Sequence, residues 1–301
     1  MKNLIVKKVD DKNIVWFKNS NSYLVLEPSI AEIILKFEIK ISLDEIETWF
    51  FRKNNASKQA IMNFVGDIYL LYYKNITFKN QINFSKKNYR FTNKHYSQKH
   101  YEVNNLIFSV QSENEYLESL IHPVFAHLET KNQTKTHINY QVFEHQDTLV
   151  FLKNNQLIGN WKKEESHVFQ GKISMQLLID CYKKPEENWM GVFHASAVSN
   201  GKESILLLGD SGNGKSTSLA LLSANRFDCI ADDFVPIDNQ KNIYTYPAAI
   251  SVKKKSISTL LPYYPELKHT SEYHLKQLNK LVRYLPPKNI DYDLKLKCKA
   301  L

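Results

Sequence analysis

The sequence predicts an α+β protein: a strand–loop–helix α/β core, a mostly β region before it, and a small winged-helix-like domain at the N-terminus. Three observations predict this. The apolar run Ser204–Leu208 enters a glycine-rich stretch that opens a helix-patterned segment. Residues 105–180 carry short β-patterned runs broken by turn residues. Residues 1–84 set two or three β-rich runs ahead of three helical stretches.

In the N-terminal module (1–84), Asn3–Val9 and Asn13–Lys18 read as strands about the turn Asp10-Asp11-Lys12, and Tyr23–Leu26 as a third. Pro28, well placed in a first helical turn, opens a helix with Ile30, Ile33, Ile34 and Phe37 on one face. Ser42 and Glu45 have the spacing of a capping box before Ile46, Trp49 and Phe50. A third helical stretch runs from Ser57 to Tyr72. Residues 85–104 are basic and aromatic without clear period. Arginine and aromatic rings can stack on bases, but an exposed basic linker is the expected reading.

The remaining chain, 105–301, reads as one domain with a catalytic core at 190–255. Leu106–Val110 and Gln156–Trp161 are strands, and Ile138–Glu144 and Thr148–Leu152 form a hairpin about His145-Gln146-Asp147. A helical segment, Glu113–Leu128, is interrupted by Pro123, and a helix at Ser174–Lys183 leads to Pro185. Phe193–Val198 and Ser204–Leu208 are strands across Ser199-Asn200-Gly201. A helix follows at Ser216–Asn225, then the strand Cys229–Ala231, which ends in Asp232-Asp233. Beyond Thr245 come Pro247, the basic triplet Lys253-Lys254-Lys255 and a weakly periodic helical end.

Composition narrows the function classes. Lys and Arg number 40 against 31 Asp and Glu, a net charge of +9. That surplus is spread along the chain rather than gathered in a stripe, so nucleic acid is not the expected partner. No apolar run approaches the ~20 residues that span a bilayer, so no membrane partner is expected. Cys181, Cys229 and Cys298 lie far apart without metal-ligand spacing and suit a reducing compartment, which points to the cytoplasm. A homo-oligomer is left open.

Residues 209–216 read Gly-Asp-Ser-Gly-Asn-Gly-Lys-Ser, the complete G-x-x-x-x-G-K-[ST] pattern. Gly209, Gly212 and Gly214 let the backbone curl around a phosphate, with Asp210, Ser211 and Asn213 completing the loop. The Lys215 ammonium suits the β- and γ-phosphates, and the Ser216 hydroxyl suits Mg²⁺. Thr217 follows in the first helical turn. Asp232 and Asp233 lie 17 and 18 residues after Lys215, where an apolar strand ends. A strand parallel to the loop's own strand delivers both carboxylates to the phosphate edge. There one can hold Mg²⁺ and the other can take a proton from a hydroxyl. Adjacent side chains on a strand face opposite ways, so the pair divides its work unless the strand ends between them. His194, ten residues before the loop's strand, is a candidate to assist proton transfer or a structural histidine of the sheet.

Residues 194–237, H-A-S-A-V…I-L-L-L-G-D-S-G-N-G-K-S-T…I-A-D-D-F-V-P-I, resemble the catalytic core of the HPr kinase/phosphorylase-like superfamily. The resemblance implies a phosphoenolpyruvate-carboxykinase-like core and ATP- and Mg²⁺-dependent phosphorylation of a serine hydroxyl. It makes the loop residues and Lys215 the ATP site and Ser216 a Mg²⁺ ligand. Asp232 becomes the acid/base, Asp233 a metal residue and His194 the family's upstream histidine. Thr217 stands where HPr kinases carry Glu, and the strand–helix order of residues 1–84 is similar to that of PqqD-like domains, which bind the leader of a precursor peptide by strand addition. The resemblance therefore implies a peptide or protein hydroxyl as acceptor. The alternative is a nucleotide-binding regulatory ATPase or sensor without phosphotransfer.

Overall fold

The computed structural model describes residues 4–20, 22–77, 89–91, 96–131, 137–275, 280–288, 290–291 and 295–300. It is mixed α/β with several sheets, and the chain divides into two compact units, Met1–Asn83 and Phe84–Leu301.

The first unit sets a three-stranded antiparallel sheet, β1 (Leu4–Val9), β2 (Lys12–Phe17) and β3 (Ser22–Leu26), beside three helices. These are α1 (Pro28–Glu38), α2 (Leu43–Lys53) and α3 (Lys58–Thr77). Alternation along β2 buries Val15 and Phe17 against Ile33, Ile34, Ile46 and Val65, so one face of each element makes the core. The Ser42–Glu45 capping box is formed in both directions and fixes the start of α2.

The second unit begins with a five-stranded sheet, order β4-β5-β6-β7-β8, made of β4 (Ser97–Val103), β5 (Leu106–Ser112), β6 (Ile138–His145), β7 (Thr148–Lys153) and β8 (Gln156–Lys162). Among the described strands of this sheet only β5 and β6 pair in parallel, and α4 (Glu115–Phe125) lies in the crossover between them. Asn104-Asn105 and Asn154-Asn155 all have positive φ, which asparagine tolerates, and close the β4–β5 and β7–β8 hairpins. The helix α5 (Ser166–Tyr182) buries Phe169, Ile173 and Leu177 in the same core as Tyr101, Phe108, Tyr140 and Phe151.

Three expectations are corrected here. Within 85–104, read as a linker, Ser97–Val103 forms β4, and Tyr89 and Phe91 pack on Phe143. Positions 85–88 and 92–95 lie outside the described residues. Pairing with β5 explains the aromatic residues there: Tyr101 is buried and stacks on Phe108. Pro123 does not interrupt its helix, which continues to Phe125. The helix read at Ser174–Lys183 starts at Ser166, because Phe169 and Ile173 already face the core.

The rest of the unit carries β9 (Trp189–Phe193), β10 (Ser196–Ser199), β11 (Ser204–Leu207), α6 (Lys215–Ala224), β12 (Asp228–Asp232), β13 (Val235–Asp238) and β14 (Asn242–Tyr244). It continues with β15 (Ile250–Lys253), α7 (Ile257–Leu260), β16 (Tyr273–Leu275), β17 (Lys280–Leu285) and β18 (Lys295–Ala300). Seven strands form one sheet, β12-β10-β11-β18-β14-β13-β9, and three form another, β15-β17-β16. The strand read as Phe193–Val198 is two strands, β9 and β10, broken at His194-Ala195. β9 pairs with β13 and β10 with β11 and β12. Among the described residues, the helical end expected beyond Thr245 is instead mainly β, with the short α7 and two 3₁₀ turns.

β10 runs antiparallel to both neighbours, β11 and β12, so these two run parallel and end at the same edge. Above them α6 buries Leu219 and Ala220 against Val198, Cys229, Ile250, Val252 and Tyr264, and the Tyr264 hydroxyl donates to the Ala220 carbonyl at 2.8 Å. Leu219 is fully buried at the centre of this layer. Leu219→Ala should therefore destabilise the second unit by about 2–5 kcal/mol, the usual cost of a leucine-sized core truncation, read as a lowered urea midpoint.

Candidate functional site

The edge where β11 and β12 end is built from the 209–216 loop, the start of α6 and the Asp232-Asp233 pair. Gly212 (φ +105°) and Gly214 (φ +87°) take left-handed conformations that a Cβ disfavours, and these two turns fold the loop back onto α6. Asn213 N–H donates to the Asp210 carbonyl at 3.2 Å, and Ser218 N–H to the Gly214 carbonyl at 2.8 Å. α6 begins at Lys215, so the first-turn amides lack carbonyl partners one turn back and point toward the loop's concave side.

Lys215 is 8% exposed, and its ammonium donates to the carbonyls of Gly209 (2.7 Å) and Asp210 (3.3 Å). It thus stands across the mouth of the loop. The Thr217 hydroxyl meets that of Ser256 at 2.8 Å, tying the first turn of α6 to the segment after β15. Two further lysines approach the crest: Lys253 Nζ lies 3.1 Å from Ser211 Oγ, and Lys255 Nζ donates to the Gly212 carbonyl at 3.3 Å.

Asp232 is the anchor of the site. It is 3% exposed, and three donors hold its carboxylate: Ser196 Oγ (2.6 Å) and Ser216 Oγ (3.0 Å) on Oδ1, and Ser251 N–H (3.0 Å) on Oδ2. Burial, with the neighbouring Asp233 charge, pushes its pKa up to about 6, while the Ser196, Ser251 and Ser216 hydrogen bonds pull the other way.

Asp233 differs in every respect. Its φ of 58° ends the strand between the two aspartates and turns the second side chain toward solvent. Its carboxylate lies 3.7 Å from His194 Nδ1, and both side chains are open to solvent, at 48% and 64%. Tyr284 of β17 lies near enough that burial and the Asp233 charge push its phenol up to about 12. Its ring sits 5.6 Å from that of Tyr273.

All the residues singled out in the sequence therefore gather at one edge, in two groups. Gly209, Asp210, Ser211, Gly212, Asn213, Gly214, Lys215, Ser216 and Thr217 form the loop and helix start that Ser216 bonds to Asp232, and His194 faces Asp233. Sequence reasoning missed the Asp232 partners Ser196 and Ser251, the Ser256 contact and the Tyr284 wall. Ser196 stands inside the H-A-S-A string, but nothing local marks its contact, which spans 36 positions. The basic triplet at 253–255 is visible as charge, and the resemblance, which extends loosely through Tyr246–Lys253, implies that Lys253 approaches a phosphate; nothing in the sequence marks the Lys255 contact with Gly212.

The chain matches no protein-family model, no curated protein and no solved structure. Among the described residues no group of three or more His, Cys, Asp or Glu could form a protein-only metal cage, and no helix is long and apolar enough to cross a membrane.

The upward shift of the Asp232 pKa has a measurable consequence. Its folded value of about 6 lies above the ordinary carboxylate value of 3.8, so folding favours the protonated form. The stability this group contributes is fully present below pH 4 and is lost as pH rises through 6. Thermal unfolding without nucleotide or divalent cation, at fixed ionic strength, should show a stability decline between pH 4 and 6.5 that is shallower in Asp232→Asn. Parallel profiles for wild type and variant would contradict the assignment.

Proposed function

We propose that the second unit is an ATP- and Mg²⁺-dependent kinase of HPr-kinase-like architecture that phosphorylates a hydroxyl, serine in a peptide or protein. The observation that carries this reading is the 3.0 Å hydrogen bond from Ser216 to Asp232. It joins the loop–helix corner to the end of β12, so that phosphate donors and a carboxylate share one edge. The His194–Asp233 pair adds an accessible proton acceptor beside it.

The residues fit Mg²⁺. It prefers hard oxygen donors, commonly one or two carboxylates completed by phosphate oxygens, and the Ser216 hydroxyl and Asp232 carboxylate supply such a pair. Bound there, Mg²⁺ would offset charge on the β- and γ-phosphates. The amides at the start of α6 and the loop cradle the phosphates. Lys215 exchanges its contacts with Gly209 and Asp210 for phosphate oxygens. The acceptor oxygen attacks the γ-phosphorus, the bond to the β–γ bridging oxygen breaks and ADP leaves. Asp233 takes the hydroxyl proton, with His194 beside it.

This reading exchanges the aspartate roles implied by the resemblance. Asp232 is buried under three hydrogen bonds and faces Ser216, which suits the metal side. Asp233 is exposed, which suits an incoming hydroxyl.

For the first unit we adopt the winged-helix-like, PqqD-like reading, with a precursor-peptide leader as ligand. Its support is that β3 lies at an edge of the three-stranded sheet, where an extended segment can add as a further strand.

Labelled ATP, Mg²⁺ and serine peptides test the proposal. Lys215→Ala should lower phosphotransfer by roughly a hundredfold or more. Asp233→Asn should lower kcat by about 10²–10⁴-fold with little change in the Mg²⁺ requirement, and Asp232→Asn should raise the Mg²⁺ concentration needed. The opposite pattern would restore the roles implied by the resemblance. Nucleotide binding without product from wild type on any hydroxyl would instead make the protein a sensor.

A further inference from the structure

Three lysines, not one, converge on the 209–216 loop. The signature accounts for Lys215, whose ammonium closes the mouth at Gly209 and Asp210. Lys253 and Lys255 arrive from the opposite direction in sequence, at the end of β15 and in the 3₁₀ turn Lys254–Ser256 that follows. Their ammoniums touch the two crest residues, at Ser211 Oγ (3.1 Å) and the Gly212 carbonyl (3.3 Å). A Cβ placed on Gly212 would itself stand 3.7 Å from Lys255 Nζ, which shows how closely this cation overlies the crest.

Their position is fixed from both sides. Ser251 N–H binds Asp232, two residues before Lys253, and Ser256 Oγ meets Thr217 of α6, one residue after Lys255. The turn bearing the two cations is thus clamped to the walls of the site by hydrogen bonds independent of the lysines. Both side chains are on the accessible side: Lys255 is exposed and Lys253 partly exposed. An ammonium that trades a contact with a neutral oxygen, such as Ser211 Oγ or the Gly212 carbonyl, for a phosphate oxygen adds the attraction of an opposite charge to its hydrogen bond.

We propose that Lys253 and Lys255 act as a cationic finger in cis, binding the terminal phosphate of a nucleoside triphosphate held in the loop. The inference rests on the nucleotide-site reading of the preceding section and adds to it a determinant of triphosphate over diphosphate. Lys215 and the amides of α6 hold phosphates that ATP and ADP share. The two finger lysines meet the group that ADP lacks, and neutralise the charge that spreads over it during transfer.

The test is calorimetric titration of the full chain with MgATP and with MgADP, for wild type, Lys215→Ala, Lys253→Met/Lys255→Met and Lys253→Arg/Lys255→Arg. Thermal unfolding checks that each variant is folded. In the methionine double variant, MgATP affinity should fall at least about tenfold and MgADP affinity by less than about twofold; the arginine variant should keep most of the ATP preference. Equal losses for ATP and ADP would show a general electrostatic effect and overturn the finger, as would wild-type affinities in the methionine variant. If Lys215→Ala loses both nucleotides while the methionine variant behaves as wild type, only the finger is wrong. If wild type binds neither nucleotide, the site reading fails and the finger with it.

Discussion

One buried carboxylate organises the candidate site. Asp232 accepts from Ser196 on β10, Ser216 on α6 and the Ser251 amide on β15. Three elements that approach from different parts of the chain are thereby held to one point. A carboxylate 3% exposed carries a desolvation cost that only such donors offset. Removing any of them leaves a costlier charge, so the arrangement holds as a unit. The loop, the first turn of α6 and the lysine-bearing turn after β15 all take their positions from it.

The second constraint is the break after Asp232. The left-handed Asp233 stops β12 and makes adjacent, chemically identical side chains unlike. One faces Ser216 in the interior, and the other faces solvent near His194. The break between β9 and β10 at His194-Ala195 serves the same edge, because it releases His194 from the sheet. Two interruptions of regular structure thus place the His194 and Asp233 side chains together and open to solvent.

The parts of this arrangement written in local chemistry were legible in the sequence. The glycines at 212 and 214 announce left-handed turns, the apolar run at 204–208 a strand, and Ser42 with Glu45 the start of a helix. Strands made only by distant pairing were not. Residues 280–285 and 295–300 are interspersed with basic side chains, and leucines at 275, 278 and 281 imitate a helical face. Their partners are β15, β16, β11 and β14, the last two more than 50 positions away from β18. The contacts to Asp232 escape for the same reason: a serine that caps a buried carboxylate looks, in sequence, like any other serine. The basic segment before position 105 misled in the other direction, because polar alternation along β4 resembles a solvated linker until its pairing with β5 is known.

The proposed triphosphate cradle at residues 209–216 is open to amide NMR of the full chain during a MgATP titration. Saturable shifts should concentrate in the amides of Gly212, Asn213, Gly214, Lys215 and Ser216, with smaller ones at Ser251 and Lys253. A titration in which these amides stay unmoved while MgATP is bound elsewhere, or is not bound at all, would contradict it.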